Sequence, residues 1–183
     1  MKWIFVPVLA LAGACAPATQ ASVGDWREAL EAQVYAVVID SLLASPVVPF
    51  VVIADSTIDM GGDFAFTGSR TPVQMMADFR AMNRQHHGFP ARVPARTRVR
   101  RIPYTAYRRG DRFAAYLRFR REYAPAREFY VLTRPGFSDD RKEAILEVSH
   151  GCHDVYCSYV ELVTLDGHGG RWRIVDHETV VEM

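Results

Sequence analysis

Four β-rich runs follow one another between residues 127 and 181, and each break between them carries turn-forming residues. The runs are REFYVLT, KEAILEV, SYVELVTL and RWRIVDHETVV, and the breaks contain RPGFSDD, GCHDVYC and DGHGG. Glycine, proline and aspartate in short connections are typical of hairpins between antiparallel strands. The pattern therefore predicts a four-stranded antiparallel meander at the C-terminal end of the chain.

Helical patterns precede the meander. Residues 25–44 predict a first helix, because apolar residues recur there at helical spacing and Asp25 with Glu28 fits a capping pair. A second helix is predicted from Thr71, which suits an N-cap ahead of Pro72, to about residue 85. Residues 112–123 favour a short amphipathic helix, with a strand as the alternative.

Two further segments outside the meander predict strands. VVPFVVIAD, at residues 47–55, is typical of a buried strand. The Pro- and Arg-rich residues 88–110 are expected to form a long loop with one or two edge strands, for example in RVRRIPYTAY. The predicted fold class is α+β. It comprises one domain, residues 23–183, in which the N-terminal helices pack on the meander.

From about Phe113 onward the chain resembles a group of uncharacterised bacterial secreted proteins. Their pattern is a short aromatic-rich helix, LSRVGFN, ALVY, a Gly/Cys-rich turn, YxxLxK and WxI. The matching pieces here are LTRPGFS (132–138), AILEV (144–148), GCHDVYCSYVEL (151–162) and GRWRIV (170–175). Pro135 and Ser138 depart from the commoner Val and Asn of that group. The resemblance implies the hairpin architecture and supplies no catalytic residue; the meander with helices ahead of it also resembles part of an NTF2-like domain.

The first 21 residues are typical of a secretory signal, because Lys2 precedes a short apolar run that ends in small residues. The run is shorter than the ~20 residues that a transmembrane helix needs. LAGAC is similar to a bacterial lipobox and predicts lipidation of Cys15, whereas APA and TQA, at residues 16–18 and 19–21, are alternative sites for signal peptidase I. We therefore expect an exported protein, either anchored by lipid to the bacterial envelope or periplasmic.

Two cysteines remain after Cys15, and both lie in the turn GCHDVYC. An even pair in an oxidising compartment favours a disulfide between Cys152 and Cys157, which would close a hairpin. The alternatives are free thiols and a zinc site that also uses His153, with His150 as an optional further ligand. Structural zinc sites usually have two spaced pairs of ligands, so we expect no metal here.

Residues 92–121 contain eleven arginines and one acid, Asp111, interleaved with tyrosine and phenylalanine. Export argues against nucleic acid as the partner, and the planar guanidinium suits phosphate and carboxylate. An anionic envelope component or an acidic protein is the expected partner; pairing with the acidic segments on either side is the alternative. The candidate anion-binding residues are Arg98, Arg100, Arg101, Arg108 and Arg109.

A small-ligand or enzymatic pocket between the helices and the sheet is the competing hypothesis. Such a pocket would use His86, His87 or Asp78. The chain lacks G-x-S-x-G, H-E-x-x-H and any paired-carboxylate motif. The sequence therefore favours a non-catalytic binding protein with no cofactor.

Overall fold

The structure is a computed structural model that describes residues 23–57, 73–107, 112–151 and 159–182. These residues form three α-helices: α1 (Val23–Val38), α2 (Val73–Met82) and α3 (Arg112–Glu122). A π-helical turn, Ile39–Leu43, continues α1, and a 3-10 turn spans Tyr104–Tyr107. The strands are β1 (Phe50–Ala54), β2 (Arg98–Ile102), β3 (Phe129–Leu132), β4 (Gly136–Phe137), β5 (Glu143–Gly151), β6 (Tyr159–Asp166) and β7 (Arg173–Glu182).

All seven strands belong to one mixed sheet with the order β2-β1-β3-β5-β6-β7. Strand β1 pairs in parallel with β2 and with β3, whereas β3, β5, β6 and β7 pair antiparallel in succession. Strand β4 also pairs with β5, next to β3. The α+β class is therefore confirmed.

The four predicted meander strands are present, but they are not the whole sheet. Gly136 and Phe137, which were assigned to a turn, form β4, because β5 is long enough to pair with both β3 and β4. The segments predicted as a buried strand and as an edge strand are β1 and β2, and they extend the same sheet. The prediction of a four-stranded meander was thus incomplete.

All three predicted helices are present. However, α1 begins at Val23, so Asp25 lies inside the helix and the predicted capping pair was wrong, and α2 ends at Met82, before residue 85. The first helical segment ends at Leu43, just before Ser45-Pro46, since the residue before proline avoids the helical region. Residues 112–122 are helical rather than extended. The predicted cap of the second helix, Thr71-Pro72, lies outside the described residues.

Apolar side chains cover both faces of the sheet, because strand residues alternate between faces. On one side, which we call the α1 face, Val34, Tyr35 and Val38 pack on strand residues that include Leu146 and Val148. On the other side, the α2–α3 face, helix α3 packs on β1 and β2, and helix α2 packs on β5 and β6. In the described part of the chain, no helix is long and apolar enough to cross a membrane.

Candidate functional site

The three described candidate arginines lie on β2, at an edge of the sheet. Arg98 and Arg100 alternate with Arg101, so their side chains belong to opposite faces of the strand. The structure therefore does not gather these three residues onto one surface. Arg108 and Arg109 lie outside the described residues.

Arg100 and Arg101 both make contacts within the fold. The Arg100 guanidinium lies 4.9 Å from the ring centroid of Phe50 and 4.5 Å from that of Tyr123. Arg101 lies on the opposite face, where Nη1 donates to the Phe89 carbonyl at 3.1 Å and Nη2 donates to the Pro90 carbonyl. Arg101 thus holds the chain that enters residues 89–97 against the edge strand.

Between residues 89–97 and β2 lies a hollow of about 590 Å³, which we call the arginine hollow. Its described lining includes Arg92, Arg98 and Arg101 but no acidic residue. Arg92 and Arg98 are exposed and have no ion-pair partner among the described residues. The lining thus carries three arginines and no described carboxylate, although Arg98 and Arg101 leave the edge strand on opposite faces. This balance of charge favours an anion.

A second cavity, of about 610 Å³, lies on the other side of residues 89–92; we call it the histidine pocket. Its lining includes Glu31, His87, Arg92 and Arg134. Burial lowers the pKa of His87 from its ordinary value, and the positive charge of Arg134 acts in the same direction. His87 is thus favoured in its neutral form.

The other two predicted pocket residues are used elsewhere. His86 is exposed and absent from the lining; its Nδ1 lies 2.6 Å from the Thr57 carbonyl oxygen. Asp78 accepts hydrogen bonds from Arg27 Nη2 at 2.7 Å and from the Phe137 amide at 2.8 Å. Asp78 therefore ties α2 to α1 and β4.

Glu31 is a pocket residue that the sequence reasoning missed. Its Oε1 accepts from Arg134 Nη2 at 2.6 Å and from Nε at 3.1 Å. Burial raises the pKa of Glu31, although the bonds from Arg134 oppose the change. Its burial could have been predicted from the sequence, because it lies three residues before Val34 and four before Tyr35, on the same buried side of α1.

A second group that the sequence patterns did not predict lies on the α1 face, where β3 and β6 begin and β5 ends. His150 Nδ1 lies 3.3 Å from Glu128 Oε2, and Nε2 lies 3.0 Å from Glu161 Oε2. Its ring stacks on Tyr159 with a centroid distance of 3.8 Å and meets Tyr130 edge-on. We call these residues the His150 cluster. The hairpin pattern places His150 near a turn, but its two carboxylate neighbours come from β6 and from the residue just before β3.

No metal-binding group of three or more His, Cys, Asp or Glu residues occurs in the ranges that the structure describes. Cys15, Cys152, His153 and Cys157, and with them the predicted lipidation and the disulfide or zinc alternatives, lie outside those ranges.

No protein-family model, curated protein or solved structure matches the chain. The arginine hollow, the histidine pocket and the His150 cluster are the features of this fold from which a function can be inferred.

Proposed function

We propose that this protein is a non-catalytic binding protein of the bacterial envelope, and that the arginine hollow takes an anionic ligand. The observation that carries the proposal is a cavity of about 590 Å³ lined by three arginines and no described acid. Its volume is in the usual range for ligand sites, ~300–1,000 Å³. Arg92 and Arg98 are the residues that contact the anion, while Arg101 keeps the wall of the hollow in place.

Binding of lipopolysaccharide or a heparin fragment to an Arg92→Ala/Arg98→Ala variant tests this proposal. We expect affinity to fall about tenfold and the salt dependence to become shallower, because fewer counterions are released. Arg121→Ala/Arg171→Ala is the matched control, since it removes the same charge from two exposed arginines outside the hollow. Equal losses in both variants would point to net charge alone and would reject the site.

The histidine pocket is a second candidate, for a small ligand or a reaction. It is favoured by the presence of Glu31 and His87, whose pKa values shift in opposite directions, beside Arg134 in one cavity. A screen of small carboxylic acids by NMR, with His87→Gln as the variant, tests it. Ligand-induced shifts at Gly88 and Phe89 that disappear in the variant are expected; a screen without such shifts would leave the arginine hollow as the better site.

We also propose export with Cys15 lipidated and a disulfide between Cys152 and Cys157, in keeping with the signal-like first 21 residues and the even cysteine pair. Intact mass after alkylation without reduction tests both. An acylated chain starting at Cys15 with no alkyl group is expected. A chain that starts after residue 18 or 21 and carries two alkyl groups would reject both.

We propose, finally, a distant relationship of the C-terminal half to the secreted group described above and to NTF2-like domains. The antiparallel succession β3-β5-β6-β7 supports it, whereas the parallel strands β1 and β2 do not. An experimental structure of a member of the secreted group would test it: the same succession of four strands is expected, and a different strand order would reject the relationship.

A further inference from the structure

A cleft of about 420 Å³ opens where β1 and β3 part. The two parallel strands pair at Ile53 and Tyr130. The chain just before each pairing position, Phe50–Val52 and residues 125–128, lines the cleft, and residues after α1 contribute the remaining wall. The cleft is distinct from the arginine hollow, with which it shares no lining residue.

The walls of this cleft are mainly apolar. Leu43, Val47, Val48 and Phe50 line one part, and Pro125 and Ala126 line another. The charged residues of the described lining are Arg127 and Glu128. An apolar cavity with a few fixed polar groups is typical of a small-molecule site.

The Glu128 carboxylate is held in place before any ligand arrives. Its Oε1 accepts from the Tyr130 hydroxyl at 2.8 Å, and its Oε2 faces His150 Nδ1 at 3.3 Å. His150 is itself fixed, because its other ring nitrogen faces Glu161. Both contacts lower the pKa of Glu128, the contact with His150 more than that with Tyr130, and together they outweigh the effect of burial, which raises it. Its side chain keeps 39% exposure, so the charge remains accessible.

We propose that this cleft binds a small molecule with an apolar body and a primary ammonium group, and that the ammonium group pairs with Glu128. A carboxylate whose orientation is already fixed loses little conformational entropy on binding, and the apolar walls shield the ion pair from water. The ligand is either a simple amine or an amino acid, whose own carboxylate would meet Arg127. The ammonium group is common to both.

Calorimetric titration with phenethylamine tests the proposal, with 2-phenylethanol and 3-phenylpropionate as neutral and anionic probes of similar size. We expect the amine to bind at least about tenfold more tightly than either probe. Titration with phenylalanine distinguishes the two kinds of ligand. Tighter binding than that of phenethylamine indicates an amino acid, and weaker binding indicates a simple amine. Equal affinities for the amine and the alcohol would reject the proposal.

Two variants locate the site. Glu128→Gln removes the charge but keeps an oxygen that can accept from Tyr130, and it should weaken amine binding about tenfold. Val47 lines the cleft with 80% exposure, so Val47→Lys adds a repelling charge with little risk to the fold and should also weaken binding, whereas Val47→Met should not. Unchanged affinity in both charge variants would reject the site. The Arg92→Ala/Arg98→Ala variant should bind the amine normally, which separates this site from the arginine hollow.

Discussion

The two faces of the sheet each bury a glutamate, and the two glutamates have different surroundings. Glu31 of α1, beside the α1 face, is 4% exposed and paired with Arg134. Glu147 of β5 is 2% exposed, and alternation with Leu146 and Val148 directs it to the α2–α3 face. Its Oε2 has no hydrogen-bond partner among the described residues, and burial raises its pKa to about 7.

The difference shows that the direction of one arginine side chain decides which of the two buried carboxylates has a partner. Arg134 lies in the break between β3 and β4, where the Asn83 side chain binds both its amide and its carbonyl at 2.8 Å. That break allows Arg134 to reach Glu31. Glu147 lies opposite the same break, and Thr133 bonds both its amide and its carbonyl. Its side chain lies on the α2–α3 face, however, whereas the Arg134 side chain pairs with Glu31 of α1.

Replacing Arg134 would make Glu31 resemble Glu147. We expect Arg134→Met to lower the free energy of unfolding by about 4 kcal/mol, because it leaves a buried carboxylate without its main partner. Chemical denaturation measures this loss. Adding Glu31→Gln should recover much of it, since the unpaired charge is then gone; additive losses in the double variant would contradict the pairing.

Glu147 should make stability depend on pH. Its pKa rises from 4.5 to about 7 on folding, so the folded protein holds a proton that the unfolded chain releases. The contribution of Glu147 to the free energy of unfolding is therefore fully present below pH 4.5, and about 3 kcal/mol of it is lost as the pH rises to 7 and slightly above.

Denaturation of Glu147→Gln between pH 4 and 8 measures this contribution. The variant should lack that loss, whereas Glu178→Gln, at an exposed position of β7, should keep it. Parallel pH profiles for the wild type and Glu147→Gln would contradict the expectation.

Close packing on the α2–α3 face can be tested at Gly136. A Cβ at this position would lie 2.5–2.6 Å from the amide nitrogen, Cα and Cβ of Phe79 in α2. We expect Gly136→Ala to cost about 2 kcal/mol, since backbone must move, although the two-residue β4 limits the strain. Gly169→Ala is the control, because a Cβ there meets nothing within 4 Å. Equal unfolding midpoints for the two variants would show that α2 packs less closely.

The smallest effects are expected from two tyrosine hydroxyls, one on each face. The buried Tyr35 hydroxyl donates to the Thr133 carbonyl at 3.1 Å. Tyr35→Phe should cost about 1 kcal/mol, because the carbonyl loses this donor. Tyr123→Phe, which removes a partly buried hydroxyl that donates to the Arg101 carbonyl, should cost less. A larger loss of unfolding free energy in Tyr123→Phe than in Tyr35→Phe would contradict this order.

Local patterns predicted much of the fold. The meander, α1 and α3 depend on turn residues and on helical spacing within short windows, so they were visible in the sequence. The position of β1 between β2 and β3 was not visible, because parallel pairing joins distant segments and leaves no turn signal between them. Strand β4 was hidden by Pro135 and Gly136, which resemble a turn.

The candidate sites were harder to predict than the fold. In AILEVS, residues 144–149, alternation suggests that Glu147 faces water, but α2 and α3 cover that face as well. The arginine-rich segment was evident, yet only the register of β2 separates Arg98 and Arg100 from Arg101. His87 was a candidate from its type alone, while its neighbours Glu31 and Arg134 come from distant segments.

The placement of β1 has a consequence for the order of folding. Phe50 pairs with Arg98, 48 residues away, and Ile53 with Tyr130, 77 residues away, whereas Ser149 pairs with Val160 across 11 residues. Closing the long loops costs more chain entropy and slows contact formation. The hairpin of β5 and β6 should therefore gain protection from hydrogen exchange first during refolding. Strands β1 and β2, which pair in parallel, carry the arginine hollow and one wall of the cleft. These two binding sites should therefore form last.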